Sequence, residues 1–153
     1  MNKKLFSAGL ALALGAGCAL SAQAQVKPEI LVKQRQSVMV LQGKYFGPLA
    51  GMAQNKIPYN KDQVMLYAAY LDALSRMPWD GFDPSTKDEK NTRALPAVYA
   101  DPGKFKEAAE RLQASVRNLV TVSHTGDEAA VKGAIGDLGK ACGNCHDNFR
   151  QKQ

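Results

Sequence analysis

The stretch DEAAVKGAIGDLGKACGNCHDNFR, Asp127 to Arg150, decides the fold. Read at helical spacing, Ile135, Leu138, Cys142, Cys145 and Phe149 share one face, and Asp127 opens the segment just after a break at Gly126. A helix with one apolar face must bury it against other elements. Working backwards, the chain supplies three more helices of the same kind.

Asp101-Pro102 is a strong helix start, an acceptor side chain followed by a proline in the first turn. Phe105, Ala109, Leu112, Val116 and Leu119 form the stripe of that third helix, which closes near His124. Upstream, Asn60 with Gln63 three residues on makes a capping-box pattern, Val64, Tyr67, Ala68, Leu71 and Leu74 line one face, and Pro78 ends the segment. The first helix runs from about Pro28 to Ala53, with Val32, Met39, Phe46 and Ala53 at helical spacing. Gly47-Pro48 falls inside it, so a kink or break is expected there. From Trp79 to Ala100, Gly81, Pro84, Ser85, Asn91 and Pro96 interrupt any period and mark a long connection. Four amphipathic helices without a convincing strand predict an all-α chain. Its simplest form is an up-down-up-down four-helix bundle with the long connection between the second and third helices.

The start of the chain reads differently. Lys3 and Lys4 precede an uncharged run from Leu5 to Leu20, and Ala22-Gln23-Ala24 is a small-x-small pattern. This is the signature of a secretory signal peptide over residues 1–24, cleaved after Ala24, with one domain over residues 25–153 and a periplasmic destination. A retained anchor is the competing reading, but the run is short for a bilayer core and carries Gly9, Gly15 and Gly17. No membrane span is expected after processing. Cys18 lies within the leader, and Gly15-Ala16-Gly17 before it lacks the large aliphatic residue expected ahead of a lipidated cysteine.

Without the leader, 18 Lys and Arg face 14 Asp and Glu. The two signs are interspersed, which describes a solvated surface rather than a stripe for nucleic acid. The hydrophobic content of 45% suffices for a packed core.

Cys142-Gly143-Asn144-Cys145-His146 is the C-x-x-C-H pattern of covalent haem attachment. Residues three apart share a helix face, so two thiols can reach two vinyl groups of one porphyrin edge while His146 binds the iron. Gly143 lets that edge approach the backbone. A bare C-x-x-C could instead be a disulfide, a redox dithiol or half a zinc site. Zinc would need two more ligands, and outside the leader only His124 remains among cysteines and histidines. A redox dithiol would sit at a helix start after a strand, whereas this motif follows three turns of helical pattern. Haem c, one and covalent, is the stronger reading.

A leader, four helices and C-x-x-C-H on the last of them resemble the class II cytochromes c, cytochrome c prime and its low-spin relatives. The supporting stretches are Arg35-Gln36-Ser37-Val38-Met39, Leu74-Ser75-Arg76-Met77-Pro78-Trp79 and Ala141 through Arg150. The resemblance implies that Met39 faces the distal side of the haem. As sixth ligand its thioether would make a low-spin one-electron carrier serving redox partner proteins in the periplasm. Alternatively Met39 only packs, the iron is five-coordinate and high-spin, and nitric oxide or carbon monoxide binds. The resemblance further implies that Arg35 and Gln36 hold a haem propionate, and that Arg150 lies beside the proximal imidazole, one turn after His146. Both arginines could equally be plain surface residues. Trp79 covers the haem edge or merely anchors the loop, and His124 is a favourable charge at the end of the third helix. Met52, Met65 and Met77 read as core or boundary residues. A homodimer through the first and second helices is implied too, with Tyr45, Tyr67 and Tyr70 widening their apolar surface. The chain is expected not to be an enzyme: a thiol-disulfide oxidoreductase is disfavoured by the helical context, and no nucleophile, base and orienting acid can be placed together.

Overall fold

The computed structural model describes residues 26–125 and 127–152, so the expected leader, residues 1–24, lies outside the described residues. Four long helices form: α1 (Pro28–Ala53), α2 (Lys61–Leu74), α4 (Pro102–Thr125) and α5 (Glu128–Phe149), with a one-turn helix α3 (Ala97–Ala100) before α4. α1 packs on α2 and α5, and α4 packs on α2 and α5, which closes the up-down-up-down ring. No helix among the described residues is long and apolar enough to cross a membrane.

Local chemistry sets the helix starts. Asn60 Oδ1 accepts from the Gln63 amide at 2.9 Å, Asp101 Oδ1 from the Lys104 amide at 3.1 Å, and Asp127 Oδ1 from the Ala129 and Ala130 amides at 2.9 and 3.3 Å. Each satisfies amides that the helix itself leaves free. The capping box at Asn60 is only half made, because the Gln63 side chain donates to Tyr67 Oη at 3.2 Å instead of turning back. α1 runs through Pro48 without a break. Leu49 and Met52, both essentially fully buried, hold the turn after the proline in the core.

The long connection is not structureless. Two 3-10 turns, Trp79–Phe82 and Pro84–Thr86, precede α3, and among the described residues no strand forms, only an isolated antiparallel bridge between Ala94 and Arg150. Leu95 donates to the Phe149 carbonyl at 2.9 Å and Gln151 to the Arg93 carbonyl at 2.8 Å, clasping the connection to the end of α5.

The core has two parts. The larger draws Leu49, Met52, Val64, Leu71, Leu119, Ile135 and Leu138 from all four long helices. The smaller groups Val98, Ala108 and Phe149 with Phe82, Phe105 and Tyr99 around them. Burying each large apolar side chain contributes about 1.5–3 kcal/mol, so the larger cluster carries most of the bundle's stability. Cys142 packs on the first cluster and Cys145 on the second, which places the motif where the two meet.

Candidate functional site

Residues of both clusters line a cavity of about 590 Å³ bounded by α1, α2, the connection, α4 and α5. Its walls are mostly apolar, with Phe46, Leu71, Trp79, Phe105, Leu112 and Leu138 among them. Cys142, Cys145 and His146 all line it from α5. Helical spacing brings the two thiols to one wall, as the motif demands.

Both cysteines are free thiols and half-buried. Burial, with a smaller contribution from Cys145, pushes the Cys142 thiol up to about 11. Burial also raises Cys145, against the pull of Arg111 and Arg150. A redox-active dithiol needs the reverse, a thiolate stabilised near neutral pH. For His146, burial first and then the charges of Arg150 and Arg93 hold the imidazolium below the ordinary histidine range, with Asp147 opposing them. The ring is therefore neutral at pH 7, the form whose lone pair can bind a metal. Among the described residues no three His, Cys, Asp or Glu side chains gather into a metal site, so zinc has no donor set.

Arg35 carries the strongest electrostatic signal. It is 3% exposed, yet no carboxylate pairs with it among the described residues. Its Nη1 donates to the Gly81 carbonyl, to Thr86 Oγ1 at 3.0 Å and to Tyr99 Oη at 3.3 Å, and its Nη2 to Thr92 Oγ1 at 2.6 Å. The guanidinium also lies 4.4 Å from the centre of the Phe82 ring. Gly81 permits this approach, since a Cβ there would meet Arg35 Cβ at 2.7 Å and the Leu31 carbonyl at 2.9 Å. So Arg35 is no plain surface arginine. It pins the connection over the cavity that it helps to line.

The other expected residues are also brought together. Met39, half-buried one turn after Arg35, lines the cavity. Gln36 lines it too, while its Nε2 donates to the Asn91 carbonyl at 2.8 Å. Trp79 Nε1 donates to the Ser75 carbonyl at 2.7 Å, and its ring packs beside Phe82 and Phe105 at 6.3 and 5.9 Å between centres. Arg150 lines the cavity from outside the helix: α5 ends at Phe149, and Arg150 is extended in the bridge to Ala94. Its amide still donates to the His146 carbonyl at 3.1 Å, so helical spacing places it one turn on from His146 and the bridge fixes its extended backbone. His124 is exposed and takes no part in the cavity wall. Arg93 and Phe105 were missed as site residues. Arg93 sits in a stretch without a period and is placed by its backbone bond with Gln151, so no local signal could have found it.

The cavity fits a haem. It offers two thiols and a neutral imidazole on one wall, apolar side chains around them, and a buried cation still lacking the anion that a propionate would supply. At Gly143 an added Cβ would meet nothing within 4 Å, leaving open space beside the motif.

Known proteins point the same way. The family profile described as Cytochrome C' matches residues 31–150. Cytochrome c' of Rubrivivax gelatinosus is 39% identical over 126 residues, 82% of this chain and 98% of that protein. Its crystal structure superposes with a TM-score of 0.79 at 38% identity, covering 82% of this chain and 98% of that one. The nitric oxide complex of a variant of cytochrome c prime from Alcaligenes xylosoxidans superposes with a TM-score of 0.76 at 32% identity, covering 83% and 98%.

These relatives correct one expectation. The low-spin electron carrier with Met39 as sixth ligand does not stand, because the matching family profile is that of cytochrome c' and the relatives at 39% and 32% identity from Rubrivivax gelatinosus and Alcaligenes xylosoxydans are cytochromes c', with a variant of cytochrome c prime from Alcaligenes xylosoxidans solved with nitric oxide. An iron whose sixth position is held by a thioether has no open position for a gas. Helical spacing puts Met39 on the cavity wall, and nothing in that spacing makes a bond. By profile, sequence and fold together, the chain belongs to the cytochrome c' family.

Proposed function

We propose that this chain binds one haem c through Cys142 and Cys145, with His146 as the axial ligand of a five-coordinate, high-spin iron that takes up nitric oxide or carbon monoxide. The observation that carries the reading is the motif's position on the wall of a mostly apolar cavity beside Arg35, a buried cation with no acidic partner. When bound, the haem supplies an iron with one coordination position open to a diatomic gas. The neutral His146 ring provides a lone pair, and Arg35 provides a guanidinium for a propionate. Trp79, Phe82 and Phe105 keep water from the apolar side, and Met39 presents an apolar thioether to the cavity. No group here is asked to turn over a substrate, so the protein is a binding module and not an enzyme.

The test is the visible spectrum of purified holoprotein in both oxidation states, followed by carbon monoxide titration of the ferrous form. A high-spin ferric spectrum and saturable gas uptake are expected. A low-spin ferric spectrum with no uptake would overturn the reading. Haem staining that survives acidified-acetone extraction and denaturing electrophoresis checks the thioethers, and colour lost to the acetone refutes them.

Export to the periplasm with cleavage after Ala24 belongs to the same proposal, supported by the leader pattern and by the oxidising compartment in which thioethers protect a thiol pair. So does a homodimer. Val40, Leu41, Leu66 and Tyr70 are exposed on α1 and α2, and Tyr45, Tyr67 and Tyr70 cluster with ring centres 4.9–6.5 Å apart. Sedimentation equilibrium giving a monomer mass at every concentration would exclude it.

A further inference from the structure

A second cavity, about 680 Å³, lies between the connection and the first half of α4. Trp79, Phe82 and Phe105 line both cavities, so the two share an aromatic wall. Pro84, Val98 and Ala109 complete an apolar floor, and the size is that of a pocket for a small organic molecule. The rim is charged. Lys106 pairs with Glu110 at 2.9 Å, which offsets that carboxylate, while Lys87 has no acidic partner among the described residues. The rim therefore carries one uncompensated positive charge above a floor of aromatic rings.

Two lining residues lead directly to the first site. Phe82 lies under the Arg35 guanidinium at 4.4 Å, and Tyr99 Oη bonds both Arg35 at 3.3 Å and Thr86 Oγ1 at 2.8 Å. A molecule seated against Phe82 and Tyr99 thus touches two of the groups that fix Arg35.

We propose that this cavity is a second ligand site, for a small aromatic carboxylate, and that its occupancy reaches the first cavity through Phe82, Tyr99 and Arg35. The rings of the ligand stack on the aromatic floor, and its carboxylate meets Lys87. The inference goes beyond gas binding and does not need it to be true.

Holoprotein is titrated with 2-naphthoate by calorimetry, with the haem absorption and the Arg35 side-chain NMR signals recorded alongside. A ligand of this size is expected to bind with a dissociation constant on the order of millimolar or tighter, shifting both signals saturably. Ala109→Trp, which fills the floor, should weaken binding at least tenfold. Lys87→Glu should weaken naphthoate while leaving neutral 2-naphthol unchanged, and this second variant serves where the first fails to fold. Absence of saturable binding overturns the proposal, as does binding indifferent to both variants. So does loss of carbon monoxide binding on adding naphthoate that persists unchanged in both variants, which would place the naphthoate at the iron. Failure of the ferrous protein to bind carbon monoxide would instead sink the gas-binding reading and leave the calorimetric result standing.

Discussion

Arg35→Lys keeps the charge and removes the fork, so it isolates what the planar guanidinium does. In the parent protein two nitrogens serve four oxygens, on Gly81, Thr86, Thr92 and Tyr99, and the fork also covers the Phe82 ring. A lysine ammonium is one atom on a flexible stem and can keep about two of those acceptors at once. Two lost charge-assisted bonds would cost about 3–6 kcal/mol if every acceptor were orphaned. They are not all orphaned, because Thr86 and Tyr99 hydroxyls already bond each other at 2.8 Å, so the expected loss is about 2–4 kcal/mol. Urea unfolding followed by far-ultraviolet circular dichroism measures it, and hydrogen exchange locates it. Amide exchange should accelerate in residues 79–92 while the α4 and α5 core stays protected. A change below about 0.5 kcal/mol, within the range of an ordinary surface substitution, would refute the idea that this side chain pins the connection.

Gly81→Ala tests the same pin from the other side: its Cβ would meet Arg35 Cβ at 2.7 Å, and the forced shift should cost about 1–3 kcal/mol in the same unfolding assay. Asp127→Ala removes the acceptor of two α5 amides, and thermal or urea unfolding should show a loss of about 0.5–2 kcal/mol without change at the haem. In apoprotein made without haem, Cys142 stays a thiol until high pH, so its alkylation by iodoacetamide, read by mass spectrometry, should rise steeply only towards about pH 11. Because that folded value lies above the ordinary 9.0, the stability it confers is whole below pH 9 and is lost as pH rises towards about 11. A Cys142 that alkylates fully at neutral pH contradicts the burial argument.

The sequence made the helices legible because their signals are local. Asn60, Asp101 and Asp127 each cap amides two or three residues away, and the apolar stripes needed only a period. The C-x-x-C-H motif was legible for the same reason, since about one helical turn carries Cys142, Cys145 and His146 to one cavity wall. The connection was not, because its turns are fixed by a side chain 46 to 64 positions distant in sequence. Arg150 shows the limit most sharply. Counting four residues on from His146 put it near the imidazole, and its amide does make that i+4 bond to the His146 carbonyl, but the end of the helix there and the bridge to Ala94 are encoded by no periodicity. Met39 shows another limit. Spacing could place it on the cavity wall, whereas ligation depends on how the iron's sixth position is used, and there the relatives overruled the thioether.

The alternating direction of the four long helices has an electrical consequence. The cavity meets α1 along its middle turns, Arg35 to Phe46, α4 near its start at Phe105, and α2 and α5 near their ends at Leu71 and Phe149. One positive helix end, that of α4, therefore faces two negative ones, each worth roughly half an elementary charge and each fading within about a turn. Against these partial charges the wall carries three full ones, Arg35, Arg93 and Arg150. The polarity of the cavity is then dominated by individual residues and not by architecture, so substitution of Arg93 or Arg150, which do not pin the connection as Arg35 does, can tune it while the bundle stays as it is.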